Sequence, residues 1–210
     1  MEKRVVQPEL LDELDSNDPA AIRSRRDLRV INRIMRGDNW ILKQLNELHN
    51  IERVIEIGAG EGILSRKILK AKPSMKITAV DLAPRPKGLV EEIEWRQESA
   101  IDFDYACDAS TAIVANLFIH QFENDVLRSW GENWRGVGAL LLAEPYRSIA
   151  SIRMGRTMYP FVNYVTRHDM KKSIEAGFHP GEMQSLLGDY WAWEEDWNFV
   201  GSLRCKGVRK

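Results

Sequence analysis

Apolar residues along this chain cluster at two alternating periods. Clusters of strand length stand near residues 53-57, 76-81, 93-97, 111-116 and 138-144, and helical spacing fills 61-71, 121-134 and 167-176. Strands and helices in that alternation predict an α/β fold with a doubly wound, mostly parallel sheet. Residues 191-199 and 202-208 alternate loosely on either side of Gly201, which predicts an antiparallel hairpin that brings the sheet to seven strands.

The first fifty residues follow a different rhythm. Asp18-Pro19 predicts the start of a helix that runs through Arg36 and stops at Gly37, with a second helix from Trp40 to Leu48. On the first of these, Ser24, Leu28, Ile31 and Met35 share one face and Arg26, Arg29, Arg33 and Arg36 the other, the pattern of a docked helix with a solvated basic side. Arg25 and Asn32 sit at the edge of the apolar stripe, within reach of a buried ligand. The expected organisation is one domain: a helical cap over 1-50 and a core over 51-210. Within the core, 145-166 is long and rich in Met and aromatic residues where a connection is normally polar. It reads as a lid over a binding site or as extra core. Thr166 and Asp169 have the spacing of a helix cap, which leaves His168 in the first turn that follows.

Composition narrows the class without naming a chemistry. The 210 residues are 44% hydrophobic, enough for one sizeable core, and a net charge of -1 gives no nucleic-acid footprint. Cys107 and Cys205 are far apart and have neither a metal-ligand nor a disulfide pattern, so free thiols in a cytoplasmic, reducing setting are expected. No apolar stretch approaches the ~20 residues of a membrane span, so neither a membrane nor a nucleic acid is an expected partner.

The chemistry begins at Arg53-Val54-Ile55-Glu56-Ile57-Gly58-Ala59-Gly60-Glu61-Gly62. A buried strand, three glycines and a following helix let a ligand lie close to the backbone. Asp81 stands 19 residues beyond Gly62 (81 − 62), at the end of the next strand, where a carboxylate can accept from both hydroxyls of a ribose. A dinucleotide loop has the spacing G-x-G-x-x-G. Here it is G-x-G-x-G, with acids at Glu56 and Glu61 that suit a cationic ammonium or sulfonium better than a pyrophosphate. The pattern E-x-G-x-G-x-G resembles the first motif of class I S-adenosylmethionine-dependent methyltransferases. That resemblance assigns the methionine end to Glu56, backbone contact to Gly58, Ala59, Gly60 and Gly62, and the ribose to Asp81 with Leu82 beside it. Arg25 or Asn32 then becomes a candidate for the methionine carboxylate. In the family an acid after the third strand takes the adenine. Ser99 and Ala100 occupy those places here, leaving Ser99, its backbone or Asp102 for that contact.

The fourth strand ends in Asn116-Leu117-Phe118-Ile119-His120. The carboxyl ends of strands face the ligand crevice, which brings Asn116 and Leu117 towards the cofactor's methyl group. No Pro-Pro-aromatic run follows Asn116, an argument against nucleobase or peptide-amide acceptors. His120 is a candidate base because an unperturbed imidazole titrates near neutrality, and His168 is the second candidate; a packing role for His120 fits equally well. Asp102, Asp104 and Asp108 do not fall at successive strand ends, so no metal is expected. Segments including Glu144-Pro145-Tyr146-Arg147-Ser148 and Thr166-Arg167-His168-Asp169 resemble bacterial small-molecule methyltransferases associated with type III polyketide synthases. That resemblance implies a phenolic, quinone-like or polyketide acceptor; a monomer or homodimer is expected. A nicotinamide-dependent oxidoreductase and an inactive cofactor-binding module are the rival readings.

Overall fold

The computed structural model describes residues 3–15, 17–105 and 108–210, so Cys107 lies outside the described residues. The chain opens with one helical turn, α1 (Leu10–Glu13), and two longer helices, α2 (Pro19–Met35) and α3 (Gly37–Glu47). β1 (Arg53–Ile57), α4 (Ile63–Ala71), β2 (Lys76–Asp81), β3 (Ile93–Gln97) and β4 (Thr111–Asn116) follow. A 3-10 turn (Ile119–Gln121) leads into α5 (Asn124–Trp134) and β5 (Ala139–Pro145). Then come α6 (Ile149–Thr157), a 3-10 turn (Tyr159–Phe161), α7 (Tyr164–Ala176), α8 (Glu182–Leu187), β6 (Trp191–Trp197) and β7 (Ser202–Arg209).

All seven strands form one sheet in the order β3-β2-β1-β4-β5-β7-β6. The first five are parallel, and β7 runs antiparallel between β5 and β6. The winding reverses beside β1, where Ile57 pairs with Val80 on one side and Ala115 on the other. Chains leave β1 and β4 in opposite directions at such a point, which opens a crevice at the carboxyl ends of the strands.

Each face of the sheet carries its own core. On one, Ile41 and Leu45 of α3 and Leu64 and Ile68 of α4 cover Val54, Val114 and Leu141. On the other, Trp130 and Trp134 of α5 and Met183 and Leu187 of α8 cover Ile55, Ile113 and Leu140. Burial of each large side chain is worth about 1.5–3 kcal/mol, so these four helices supply much of the energy that holds the strand ends in place. Positions 127, 130, 131 and 134 fall on one face of α5, and Gly131 is needed there because a Cβ would lie 2.2 Å from the Leu187 carbonyl.

Three local expectations are corrected. The helix from Pro19 does not stop at Gly37: Arg36 takes the left-handed turn at φ 57°, and Gly37 is the first residue of α3. Gly37 serves close approach, since a Cβ there would stand 2.1 Å from the Asn116 amide oxygen. The stretch 145-169 is not an extended loop but the helix α6, a 3-10 turn and the start of α7, with Phe161 78% and Tyr164 61% exposed. Asn163, not Thr166, caps α7, its side chain accepting from the Thr166 amide. This frees the Thr166 hydroxyl to bond Ser24 and Asp27 and tie α7 to α2.

Candidate cofactor and acceptor site

The glycine loop gets its shape from three left-handed residues, Gly58, Gly60 and Gly62, at φ 67°, 53° and 65°. Such angles cost a side-chain-bearing residue about 1–2 kcal/mol. Two of the three positions are also crowded, with Phe118 and Leu89 respectively standing where a Cβ would go on Gly58 and Gly62. Gly60 differs: no atom lies within 4 Å of its Cβ position. Backbone is therefore bare on the crevice side at Gly60 and braced behind at its neighbours. The amides of Gly58 and Ala59 donate to the Val80 carbonyl, which fastens the loop to the end of β2.

Asp81 lies at the next strand end as expected. Its carboxylate accepts from the Gly60 amide at 2.7 Å and the Ala83 amide at 2.8 Å. Leu82 beside it is 73% exposed. After β3, the Ser99 hydroxyl accepts from the Ile101 amide, while Ala100 is buried with its carbonyl taken by the Tyr105 hydroxyl. Of the residues proposed for the adenine contact, Ala100 thus has a committed carbonyl and no exposed side chain.

Glu56 is buried in β1 and accepts from the Ser65 hydroxyl of α4. Burial raises its carboxyl, Ser65 opposes the shift, and the Asp38 charge adds to it, bringing it to about 8. Asp38 belongs to the first turn of α3 and was not singled out from the sequence. It accepts from the Asn116 amide at 2.7 Å and from Lys67 at 2.8 Å, so β4, α3 and α4 converge on one carboxylate. Leu117 follows at φ 56°, unusual for leucine, with its amide donating to the Ala143 carbonyl. Backbone strain of this kind clusters at functional sites. On α2, Asn32 keeps a buried side-chain oxygen without a hydrogen-bond partner, Arg25 is half-buried, and Arg29, exposed as expected, pairs with Glu61 of the glycine loop.

The structure separates the two histidines. His120, 3% exposed, projects from the 3-10 turn after β4. Its Nδ1–H donates to Glu144 Oε2 at 2.7 Å, and its Nε2 stands 3.6 Å from Glu9 of the amino-terminal segment. Glu144 is the last acid of an otherwise apolar strand, and its other oxygen accepts from the amides of Phe118 and Ile119 at 3.0 Å each. Burial alone would lower the imidazole's pKa, but the Glu144 hydrogen bond and the nearby charges of Glu144 and Glu9 outweigh it and raise the value to about 9. The expectation of an unperturbed imidazole is corrected: at neutral pH this ring already holds the proton that a base would have to accept. His168 is half-exposed on α7, bonded to Asp169 at 2.9 Å, in a groove with Tyr159, Tyr164, Arg167 and Lys171. None of those neighbours is a strand-end residue.

Glu144 had a signal in the sequence, an acid closing an apolar run; Glu9 and Asp38 had none, since only the fold brings their elements to the crevice. Among the described residues, no three His, Cys, Asp or Glu side chains gather as a metal site, and no helix is long and apolar enough to cross a membrane. Cys205 is buried and its thiol is pushed well up by burial and by Glu195.

No protein-family model matches the chain, and no curated protein matches it in sequence. Solved structures do resemble it. The plantazolicin methyltransferase BpumL in complex with SAH superposes with a TM-score of 0.70 at 12% identity, over 92% of this chain and 91% of that one. Human N-acetylserotonin methyltransferase in complex with SAM gives 0.59 at 12% identity, over 96% of this chain and 62% of that one. An O-methyltransferase family protein from Burkholderia thailandensis gives 0.59 at 15%, over 93% and 63%. With the hairpin, the strand order and the amino-terminal helices all in place, the fold is that of the class I methyltransferases.

Proposed function

We propose that this protein is an S-adenosylmethionine-dependent methyltransferase acting on an oxygen of a small hydrophobic acceptor. The observation that carries the reading is the glycine loop with its two acids: bare backbone at Gly60, Asp81 gripping that same turn, and Glu56 buried behind it. The residues fit the cofactor. Asp81 can exchange its two amide donors for ribose hydroxyls, and the unpartnered Asn32 oxygen can take a donor from the methionine end. Asp38 favours that cationic end, Glu56 adds to it once it gives up the proton it holds up to about 8, and Arg25 is the candidate for its carboxylate. Leu82 and Ser99 flank the adenine, while Asn116 and Leu117 border the methyl group.

When bound, the cofactor supplies an activated methyl group on a cationic sulfur. The chain's own work is alignment and exclusion of water, the larger part of catalysis for a displacement with a good leaving group. Phe118, packed on Gly58, walls the strand ends, and α6 and α7 carry the Met and aromatic side chains proposed to cover the acceptor. The chain is read as one domain working as a monomer or homodimer in the cytoplasm, with no nucleic-acid partner.

A thermal-shift panel with S-adenosylmethionine, its demethylated product and NAD tests the reading. Saturation at 100 times the dissociation constant stabilises by ~2.7 kcal/mol, or roughly 5–10 °C for a chain this size. The first two ligands should shift the melting temperature and NAD should not; a response to NAD alone would overturn the proposal.

A further inference from the structure

Positive charge is concentrated on two segments of a chain that is nearly neutral as a whole. α2 carries five arginines against one acid, Asp27, and residues 149-176, from α6 through α7, carry five cations against Asp169 and Glu175. Together they hold a net +7 (+4 and +3) in a chain of net charge -1, which leaves -8 on the remainder (-1 − 7). The two segments are neighbours in space. The Asn163 side chain donates to the Ala20 carbonyl and its amide to Asp27, while the Thr166 hydroxyl bonds Ser24 and Asp27. Farther along α7, Gly155 seats α6 against Met170, whose sulfur stands 2.7 Å from where a Cβ would go.

The outward side of this assembly is not purely polar. At about 100° per residue, Ile22, Arg23, Arg26, Val30, Arg33 and Ile34 share about a third of the α2 circumference, and all six are exposed. Ala21 and Ser24 are buried on the opposite side. Phe161 and Tyr164 stand exposed on either side of Asn163, the residue tied to α2. Tyr164, Arg167, His168 and Lys171 then repeat along one side of α7 and line a groove with Tyr159. On α6, Ile149 and Met154 are exposed beside Arg153. Seven of the fourteen large hydrophobic side chains exposed among the described residues lie on these two segments, so the surplus of positive charge and the apolar exposure coincide. Arg23, Arg26, Arg33, Arg153 and Arg156 have no acid as a partner among the described residues. A solvated basic face accounts for those arginines, but not for the isoleucines and valine set between them.

We propose that α2, with α6, the 3-10 turn at Tyr159–Phe161 and α7, forms a docking face for an anionic lipid bilayer. Guanidinium groups on this face meet the phosphates of the headgroups, while their aliphatic stems lie down beside Ile22, Val30 and Ile34 in the interface. Phe161 and Tyr164 are the aromatic anchors at the same level. The opposite charge of the remainder turns the rest of the molecule away from the surface and fixes its orientation. A nucleic acid would use the arginines and gain nothing from the aliphatic side chains between them. Docking at a surface requires no spanning helix, so it departs from the expectation, drawn from the lack of an apolar span, that a membrane is not a partner. It also has a consequence for the acceptor, and this consequence alone rests on the methyl-transfer reading. α6 and α7 carry the side chains proposed to cover the acceptor, so a hydrophobic acceptor dissolved in the bilayer would be held against the side of the protein where it enters.

Sedimentation of the full chain with vesicles tests the inference, one set of phosphatidylcholine alone and one of phosphatidylcholine and phosphatidylglycerol in equal parts. The protein should pellet with the anionic vesicles at low salt, be released by added salt, and stay in solution with the neutral ones. Arg23→Gln, Arg26→Gln and Arg33→Gln together should weaken binding about 100-fold, roughly fivefold for each cation. Ile22→Ser, Val30→Ser and Ile34→Ser together should weaken it about tenfold. All six positions are on the surface, and an unchanged melting temperature verifies that both variants fold. No pelleting with either composition, equal pelleting with both, or full binding by the arginine variant would overturn the inference. So would full binding by the serine variant, since a face that reads charge alone is open to any polyanion. If vesicles carry down nothing and the same substitutions convert a dimer to a monomer in sedimentation velocity, the face joins two copies of the chain and the inference falls. Cofactor binding is measured separately, and the methyl-transfer reading stands or falls on it whatever the vesicles show.

Discussion

Around the glycine loop the contacts that shape the crevice are made by backbone: the amides of Gly58 and Ala59 on Val80, and that of Gly60 on Asp81. Around His120 they are made by charged side chains drawn from distant parts of the chain, Glu144 from β5 and Glu9 and Arg4 from the amino-terminal strap. Backbone contacts at a fixed turn suit a ligand that is the same in every cycle. Charged side chains from separate elements hold their arrangement only while each keeps its charge. The two halves should therefore fail differently when broken.

The largest effect is expected at Glu144. Replacing it with Ala strips a buried imidazolium of its fixed partner and leaves three amides without an acceptor, and loss of one member of a buried pair costs about 3–5 kcal/mol. Chemical denaturation should register this as a drop in the unfolding midpoint. A midpoint within the error of the wild type would mean that the acceptor half is not held together by charge.

Gly58→Ala and Gly60→Ala divide stability from binding within the cofactor half. Both force a left-handed alanine, but only the first drives a Cβ into the Phe118 ring, 2.1 Å away. Gly58→Ala should lose about 2–5 kcal/mol, the sum of backbone strain and overpacking. Gly60→Ala should lose only about 1–2 kcal/mol in stability while weakening S-adenosylmethionine, because its methyl group fills the open face of the loop. Thermal melts with and without the cofactor measure both quantities at once, and equal stability losses in the two variants would contradict the assignment.

These contrasts also explain what could be read from the sequence. A backbone site is written locally: Gly58, Gly60 and Gly62 are spaced for a turn, Asp81 closes the next apolar run, and all four fall at adjacent strand ends. Strand positions were legible for the same reason, because continuous apolar runs such as Thr111–Asn116 and Ala139–Pro145 have few alternatives to a buried sheet. The side-chain contacts around both halves are written in long-range pairs. Glu9 meets His120 across 111 residues (120 − 9), and Asp38 meets Asn116 across 78, so neither local period nor local motif marks them. His120 itself was visible, but its protonation was not, since that depends on the two carboxylates the fold brings to it. In the stretch after β5, α6 is nine residues long and buries Ser151 and Gly155 rather than large apolar side chains, so no apolar stripe marks it as a helix.

A smaller effect is expected from pH. The unfolded His120 titrates near 6.5 and the folded one near 9, so its contribution to stability is complete below about 6.5 and is lost as pH rises through about 9. Glu56 runs the same way: its folded form holds a proton up to about 8 that the unfolded chain gives up near 4.5. Melting temperature should therefore fall as pH rises from 6.5 to 9. Glu56→Gln should flatten the lower part of that slope and Glu9→Gln the upper part, and a melting temperature that climbs over this range would contradict both assignments.

The central claim is that the backbone-built half binds S-adenosylmethionine independently of the charge-built half. Calorimetric titration of the cofactor into the wild type, Asp81→Ala and Glu9→Gln tests it most directly. One site per chain is expected in the wild type and in Glu9→Gln with the same affinity, against a loss of about 100-fold or more in Asp81→Ala, which removes the two charge-assisted hydrogen bonds proposed for the ribose. Full affinity in Asp81→Ala, or no heat with the wild type, would contradict the account.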